Sequence, residues 1–150
     1  MADTHLLEPR RAVRRPLARV FPRSSTLAAF RCLQAGYVIL PVLAGIDKFT
    51  RLLADWDMYL AAPIQRLLPI RGDAFMYGVG IVEILAGVLV AVRPRVGAWV
   101  VAAWLGAITV NLLIQRPFLD IALRDVGLLF GACALGLLAR EFDPRRAFAP

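Results

Sequence analysis

The sequence predicts an all-α protein, a transmembrane four-helix bundle with a short interfacial helical segment between the first and second spans. Hydrophobic residues make up 59% of the chain, whereas about 45 to 50% is usual in soluble domains. Four apolar runs follow one another, and each is long enough for a helix to cross the roughly 30 Å hydrocarbon core of a bilayer. Basic residues collect beside and between these runs, which is typical of membrane topology signals.

Three regions are expected along the chain. Residues 1–26 form a basic cytoplasmic tail, residues 27–139 form the four-span membrane domain, and residues 140–150 form a cytoplasmic C-terminal tail. Ser24 and Ser25 are the expected N-cap of the first helix. The spans themselves are predicted at 27–46, 74–92, 96–114 and 121–139.

The connection between the first two spans, residues 50–73, is too polar to cross a membrane but carries apolar side chains at helical spacing. We expect one or two short helices in the interface, broken near Pro63. The apolar side of this segment is predicted to consist of Leu52, Leu53, Trp56, Tyr59 and Leu60. An interfacial anchor is favoured over a lid or a docking surface, because the rings of Trp and Tyr suit the headgroup region.

The distribution of Lys and Arg predicts the topology. With the N-terminus inside, twelve of the 18 basic residues lie on the inner side and six on the outer side. This excess predicts a multi-pass protein of a bacterial-type plasma (inner) membrane with both termini in the cytoplasm. The lipid bilayer is therefore the expected partner. Nucleic acid is not, because the basic residues behind the net charge of +7 collect between and beside the apolar runs.

Glu83 is the tenth residue of the 19-residue run at 74–92 and its only ionisable side chain. Since 19 residues of helix span about 28 Å, this carboxyl lies near the bilayer centre. Burying it there costs free energy, so its presence indicates a partner or a function.

Other polar residues cluster near the outer ends of three spans. Asp47 and Lys48 close the first span, Asn111 lies near the end of the third, and Arg124 and Asp125 open the fourth. We expect an intramembrane Glu-Arg or Glu-Lys contact of Glu83, with Asp125 as a second partner. Two interpretations stay open. The cluster either fixes the register of the bundle or lines a cavity that binds a small molecule through Lys48, Glu83, Asn111, Arg124 and Asp125.

The inventory of metal ligands is small. The chain has one histidine and two cysteines, Cys32 and Cys133, and no CxxC pair. We therefore predict no metal site and no intrinsic cofactor. The cysteines are expected to be small buried apolar residues rather than a disulfide.

Several short motifs resemble those of the DoxX family, small four-span membrane proteins that include subunits of thiosulfate:quinone oxidoreductases. The resemblance covers about 33–139 and rests on Gly45-Ile-Asp-Lys48, Glu83-Ile-Leu-Ala-Gly87, the Arg-Pro-Arg turn at 93–95, and Arg124-Asp125-Val-Gly127. It implies functional roles for Lys48, Glu83 and Asp125. It also implies a quinone as ligand and a redox protein as partner.

The leading functional prediction is an accessory or quinone-contacting subunit of a membrane redox system. A small proton-coupled transporter or exporter that uses Glu83, and a purely structural assembly protein, are the alternatives. The sequence leaves open whether the protein has an activity of its own. It also leaves open a homo-oligomer formed through Gly127 and Gly131, a GxxxG pair that predicts close helix packing.

Overall fold

The computed structural model describes residues 23–67, 69 and 71–142. Within these residues the regular secondary structure is entirely helical, which confirms the predicted all-α class. The elements are α1 (Arg23–Thr50), a single 3-10 turn (Trp56–Tyr59), α2 (Ala62–Leu67), α3 (Gly72–Val92), α4 (Pro94–Gln115) and α5 (Leu119–Phe142).

Four of these helices, α1, α3, α4 and α5, are long and apolar enough to cross a membrane. They contain the four predicted spans and extend each of them by a few residues, except that α3 ends at the predicted residue. Large apolar side chains point away from the bundle: Leu43, Leu85 and Phe130 are 54%, 62% and 68% exposed. An outward apolar surface of this extent is typical of helices that face lipid.

The long helices pack as two antiparallel pairs, α1 with α3 and α4 with α5, and contacts of α3 with α4 and α1 with α5 join the pairs. A tight turn at Arg93 separates α3 from α4, which begins with Pro94. Proline suits this first helical position because its missing N–H would have no partner inside the helix. Small and branched buried residues fill one end of the bundle, among them Ala86, Val90, Ala98, Val101, Ala132 and Leu135.

Some local predictions were wrong. Helix α1 already includes Arg23, so Ser24 and Ser25 lie inside its first turn and do not cap it. Cys32 is exposed rather than buried, although it and Cys133 are free, as expected. Most of the predicted N-terminal tail, 1–22, and the end of the C-terminal tail, 143–150, lie outside the described residues.

The GxxxG pair in α5 also does not behave as one packing motif within the bundle. A Cβ on Gly127 would meet nothing within 4 Å, whereas a Cβ on Gly131 would collide with the hydroxyl of Tyr37. Only one member of the pair is therefore needed for close packing of α5 inside this chain.

The connection 51–71 forms two short helices, as predicted, and they meet at Leu60 and Ala61, close to Pro63. Pro63 lies in the first turn of α2. The predicted single apolar face is wrong, because Leu52 and Leu53 precede the helical turn and are 83% and 78% exposed. Leu60, in contrast, is buried at the end of the bundle opposite the small-residue core.

Candidate functional site

A close crossing of α1 and α3 determines which polar side chains meet. A Cβ on Gly45 would lie 2.5 Å from the carbonyl oxygen of Gly80, and a Cβ on Gly80 would lie 2.7 Å from that of Gly45. Only glycine permits this approach of two backbones. Lys48 and Glu83 each follow one of these glycines by three residues, so they lie on the crossing face of their helices.

Lys48 and Glu83 form a buried ion pair. The Lys48 Nζ atom lies 2.6 Å from Oε2 of Glu83, and the two side chains are only 3% and 9% exposed. In a helix the Cα–Cβ bond tilts towards the N-terminus, and α1 and α3 run in opposite directions, so the two side chains lean towards each other. Lys48 thus directs its ammonium into the bundle and does not snorkel to the interface.

The other contact that the sequence had left open, between Glu83 and Arg124, is not formed. The guanidinium of Arg124 lies 3.9 Å from Asp120 one turn earlier in α5, and its side chain is 76% exposed. A lysine at the end of α1 therefore supplies the cation that balances the buried carboxylate.

The ion pair lies in the wall of a cavity of about 580 Å³. The cavity adjoins the small-residue core, because Ala86 and Val101 belong to both, and α1, α3, α4, α5 and the connection 51–71 all contribute to its lining. Its walls are mostly apolar, with Leu40, Met76, Val79 and Ile108 among them. The aromatic and polar residues of the lining are Tyr37, Lys48, Trp56, Tyr59, Phe75, Glu83, Trp104, Asn111, Arg124 and Asp125.

Asp47 holds the first part of the connection over this cavity. Arg51 adopts a left-handed conformation (φ 53°) directly after α1 and turns the chain back. The Asp47 carboxylate then accepts hydrogen bonds from the backbone N–H groups of Leu52 and Leu53 at 2.9 and 3.0 Å and from the indole N–H of Trp56 at 2.8 Å. These bonds place the Trp56 ring 3.8 Å from the Lys48 ammonium, in a cation–π contact.

Asn111 holds the second part of the connection. Its Oδ1 accepts from the backbone N–H of Ala61 at 3.0 Å, and its Nδ2 donates to the carbonyl of Tyr59 at 2.6 Å. Gln115, one turn further along α4, donates to the same carbonyl. Both ends of the turn at Trp56–Tyr59 are thereby tied to the long helices, so the connection covers the cavity as a fixed cap.

Asp125 is the other carboxylate of the cavity wall. It is half-buried and interacts electrostatically with Glu83, but it makes no hydrogen bond or ion pair with any described residue. The indole nitrogen of Trp104 is buried near Glu83 and does not reach hydrogen-bond geometry. Among the polar groups of the cavity wall, the carboxylate of Asp125 and the indole N–H of Trp104 therefore have no hydrogen-bond partner in the described part of the chain.

No family model, curated protein or solved structure matches this chain. The resemblance to DoxX proteins thus remains a hypothesis that rests on short motifs. The function has to be argued from the geometry of the cavity.

The five residues predicted as a ligand site, Lys48, Glu83, Asn111, Arg124 and Asp125, all line this one cavity. Their situations differ, because Lys48, Glu83 and Asn111 are engaged with other groups of the protein while Asp125 is free. Among the described residues, no group of His, Cys, Asp or Glu could hold a metal ion.

Sequence reasoning did not include Trp56 and Trp104 in the site. Trp56 was predicted only as part of the apolar side of the connection, and Trp104 lies in the third apolar run. Depth along a helix could be counted from the sequence, but the direction in which each ring points depends on how the helices are rotated.

Proposed function

We propose that this multi-pass membrane protein binds a quinone in the cavity beside Lys48 and Glu83, as an accessory or quinone-contacting subunit of a membrane redox system. The observation that carries the proposal is the combination of a mostly apolar, aromatic-lined cavity with a buried ion pair and a free carboxylate in its wall. A DoxX-like family relationship, inferred from the motifs around Lys48, Glu83 and Asp125, agrees with this function.

The size and chemistry of the cavity support a ligand of this class. A volume of about 580 Å³ falls within the 300 to 1,000 Å³ that is common for small-molecule sites. Flat aromatic walls formed by Trp56, Tyr59 and Trp104 suit a ring, and aliphatic walls suit its hydrocarbon tail. The polar groups of one wall would orient the oxygen atoms of the head.

The proposed orientation in the membrane follows from the distribution of basic residues along the chain. With the basic N-terminal region and the loop at Arg93–Arg95 inside, both termini are cytoplasmic and the capped cavity lies near the outer side of a bacterial-type inner membrane. A redox protein docked on that side would be the partner. Since the chain has no intrinsic redox centre in this proposal, the partner would supply or accept the electrons.

Thermal unfolding of the detergent-purified protein tests quinone binding. We expect decylubiquinone to raise the melting temperature of the wild type, because a ligand that binds only the folded state stabilises it. The shift should disappear in Glu83→Gln and persist in Glu141→Gln, which removes an exposed carboxylate near the end of α5. Absence of a shift in the wild type would contradict the proposal.

Tryptophan fluorescence gives an independent test, because the three tryptophans are differently placed. Trp56 and Trp104 line the cavity, whereas Trp99 packs against Gly136 elsewhere. In variants that retain a single tryptophan, decylubiquinone should quench Trp104 at lower concentration than Trp99. Equal quenching of both would indicate partitioning into the micelle and not binding in the cavity.

Proton-coupled transport is the second candidate, and the pair of carboxylates favours it. Glu83 and Asp125 face one cavity with a single buried lysine between the membrane helices, so a proton could be exchanged there for a cationic substrate. In proteoliposomes, ethidium uptake driven by a pH gradient and lost in Glu83→Gln would support transport. A purely structural protein would show neither uptake nor a quinone-dependent melting temperature.

A further inference from the structure

The hydrogen-bonding groups of the cavity divide into engaged and free ones. The Lys48 ammonium is held between Glu83 and the Trp56 ring. Both polar atoms of the Asn111 side chain bind the backbone of the cap, and the hydroxyl of Tyr37 donates to the carbonyl of Leu128. These groups cannot bind a ligand without giving up a bond inside the protein.

Two groups of the wall without a hydrogen-bond partner are the carboxylate of Asp125 and the buried indole N–H of Trp104, which lies near Glu83. An ionised carboxylate can only accept hydrogen bonds, and an indole can only donate one. A ligand that satisfies both must therefore offer a donor to Asp125 and an acceptor to Trp104. The guanidinium of Arg124 lies 3.9 Å from Asp120 and forms no ion pair with Asp125, although Arg124 also lines the cavity.

We propose that Asp125, in its ionised form, is the ligand-binding acceptor of the cavity and that it selects a ligand head with a hydroxyl donor, which for a quinone couple is the reduced dihydroxy form. This inference rests on the proposed function and specifies which form of the ligand the site prefers. A hydroxyl group can donate to Asp125 and accept from an N–H group, whereas the carbonyl of an oxidised quinone can only accept. Placing that carbonyl beside Asp125 would bring two acceptors together and leave the carboxylate without a partner.

The strength of the expected bond supports a measurable preference. An O–H donor bound to a carboxylate forms a charge-assisted hydrogen bond, which is about twice as strong as a neutral one. The site lies in an apolar cavity, where a polar group without a partner is costly. Binding of the reduced form thus gives the Asp125 carboxylate a hydrogen-bond partner that the protein itself does not provide.

Calorimetric titration of the full-length protein in detergent, under anaerobic conditions, tests the inference with decylubiquinol and decylubiquinone. We expect the wild type to bind the reduced form about tenfold more tightly, which corresponds to a shift of about 30 mV in the midpoint potential of the bound two-electron couple. In Asp125→Asn the ratio of the affinities for the reduced and oxidised forms should fall to nearly one. In the matched control Asp120→Asn, which changes an exposed carboxylate of the same helix, the preference should persist.

The outcomes separate this inference from the proposed function. Equal affinity for the two forms, or tighter binding of the oxidised form, would overturn the role of Asp125 while leaving quinone binding intact. An unchanged preference for the reduced form in a folded Asp125→Asn protein would also overturn the role of Asp125. If neither form binds to the wild type, the proposed function fails, and the inference fails with it. Even if Asp125→Asn does not fold, equal affinity of the wild type for the two forms would overturn the inference.

Discussion

The ammonium of Lys48 lies 2.6 Å from the carboxylate of Glu83, and both residues follow a glycine of the α1–α3 crossing by three positions. The backbone contact of Gly45 with Gly80 and the ion pair are therefore parts of one arrangement. Because α1 and α3 are antiparallel, each side chain leans towards the other helix's charged group. A carboxylate that would be costly in the centre of a membrane is balanced in this way within the chain.

Breaking the pair from the cationic side should destabilise the protein strongly. In Lys48→Met the Glu83 carboxylate remains buried without its partner, so we expect a loss of about 3 kcal/mol in the free energy of unfolding. Unfolding in mixed micelles with increasing SDS measures this change. The double variant Lys48→Met with Glu83→Leu should regain most of the stability, because it leaves no uncompensated charge.

Arg124 provides the matched control for that experiment. Its side chain is 76% exposed and lies 3.9 Å from Asp120, so Arg124→Met should change the free energy of unfolding by less than about 0.5 kcal/mol. The sequence had left open a pairing of Arg124 with Glu83, in which case neutralising Arg124 would have been strongly destabilising. Equal losses in Lys48→Met and Arg124→Met would contradict the pairing of Glu83 with Lys48.

The Asp47 carboxylate should determine whether the cap is ordered. Asp47→Asn replaces one of the oxygens that accept bonds from Leu53 and Trp56 with a donor, so these bonds cannot all be kept. We expect amide hydrogen exchange in the peptide containing Leu52 and Leu53 to become at least about tenfold faster. Asp55→Asn is the control, because the side chain of Asp55 forms no capping hydrogen bond; similar acceleration in both variants would argue against a specific role of Asp47.

The orientation in the membrane can be checked with fusions to green fluorescent protein, which becomes fluorescent only on the cytoplasmic side of a bacterial inner membrane. We expect fluorescence from a fusion after Pro150 and none from a fusion after Arg116, in the loop between α4 and α5. The reason is the excess of basic residues on the predicted inner side. The reverse pattern would place both termini outside and would contradict the predicted topology.

The four long helices could be predicted because membrane spans depend on length and composition, which the sequence contains in full. The depth of Lys48, Glu83, Asn111, Arg124 and Asp125 could be predicted for the same reason, since each residue adds a fixed rise along a helix. Depth alone brought the five residues towards the same part of the bundle and left a cavity as one of two interpretations; in the structure all five line one cavity.

The partners within the site could not be predicted, because they depend on how each helix is rotated about its axis. The choice between Lys48 and Arg124 as partner of Glu83 is made by the glycine crossing of α1 and α3. The GxxxG pair of α5 is the more familiar motif, but a Cβ on Gly127 would meet nothing within 4 Å. The function of Asp47 depends on a left-handed residue, Arg51, that no pattern in the sequence indicates.

The crossing itself can be tested by adding one methyl group to it. In Gly80→Ala the new Cβ would lie 2.7 Å from the carbonyl oxygen of Gly45 and 3.2 Å from the Cβ of Lys48, so α1 and α3 must separate. We expect a loss of about 2 kcal/mol in the free energy of unfolding and a weaker coupling between Lys48 and Glu83 in a double-mutant cycle. Gly78→Ala is the matched control: it lies on the same helix with nothing within 4 Å of its Cβ, and alanine favours helix formation. An equal response of the two variants would mean that the glycine crossing does not hold the ion pair together.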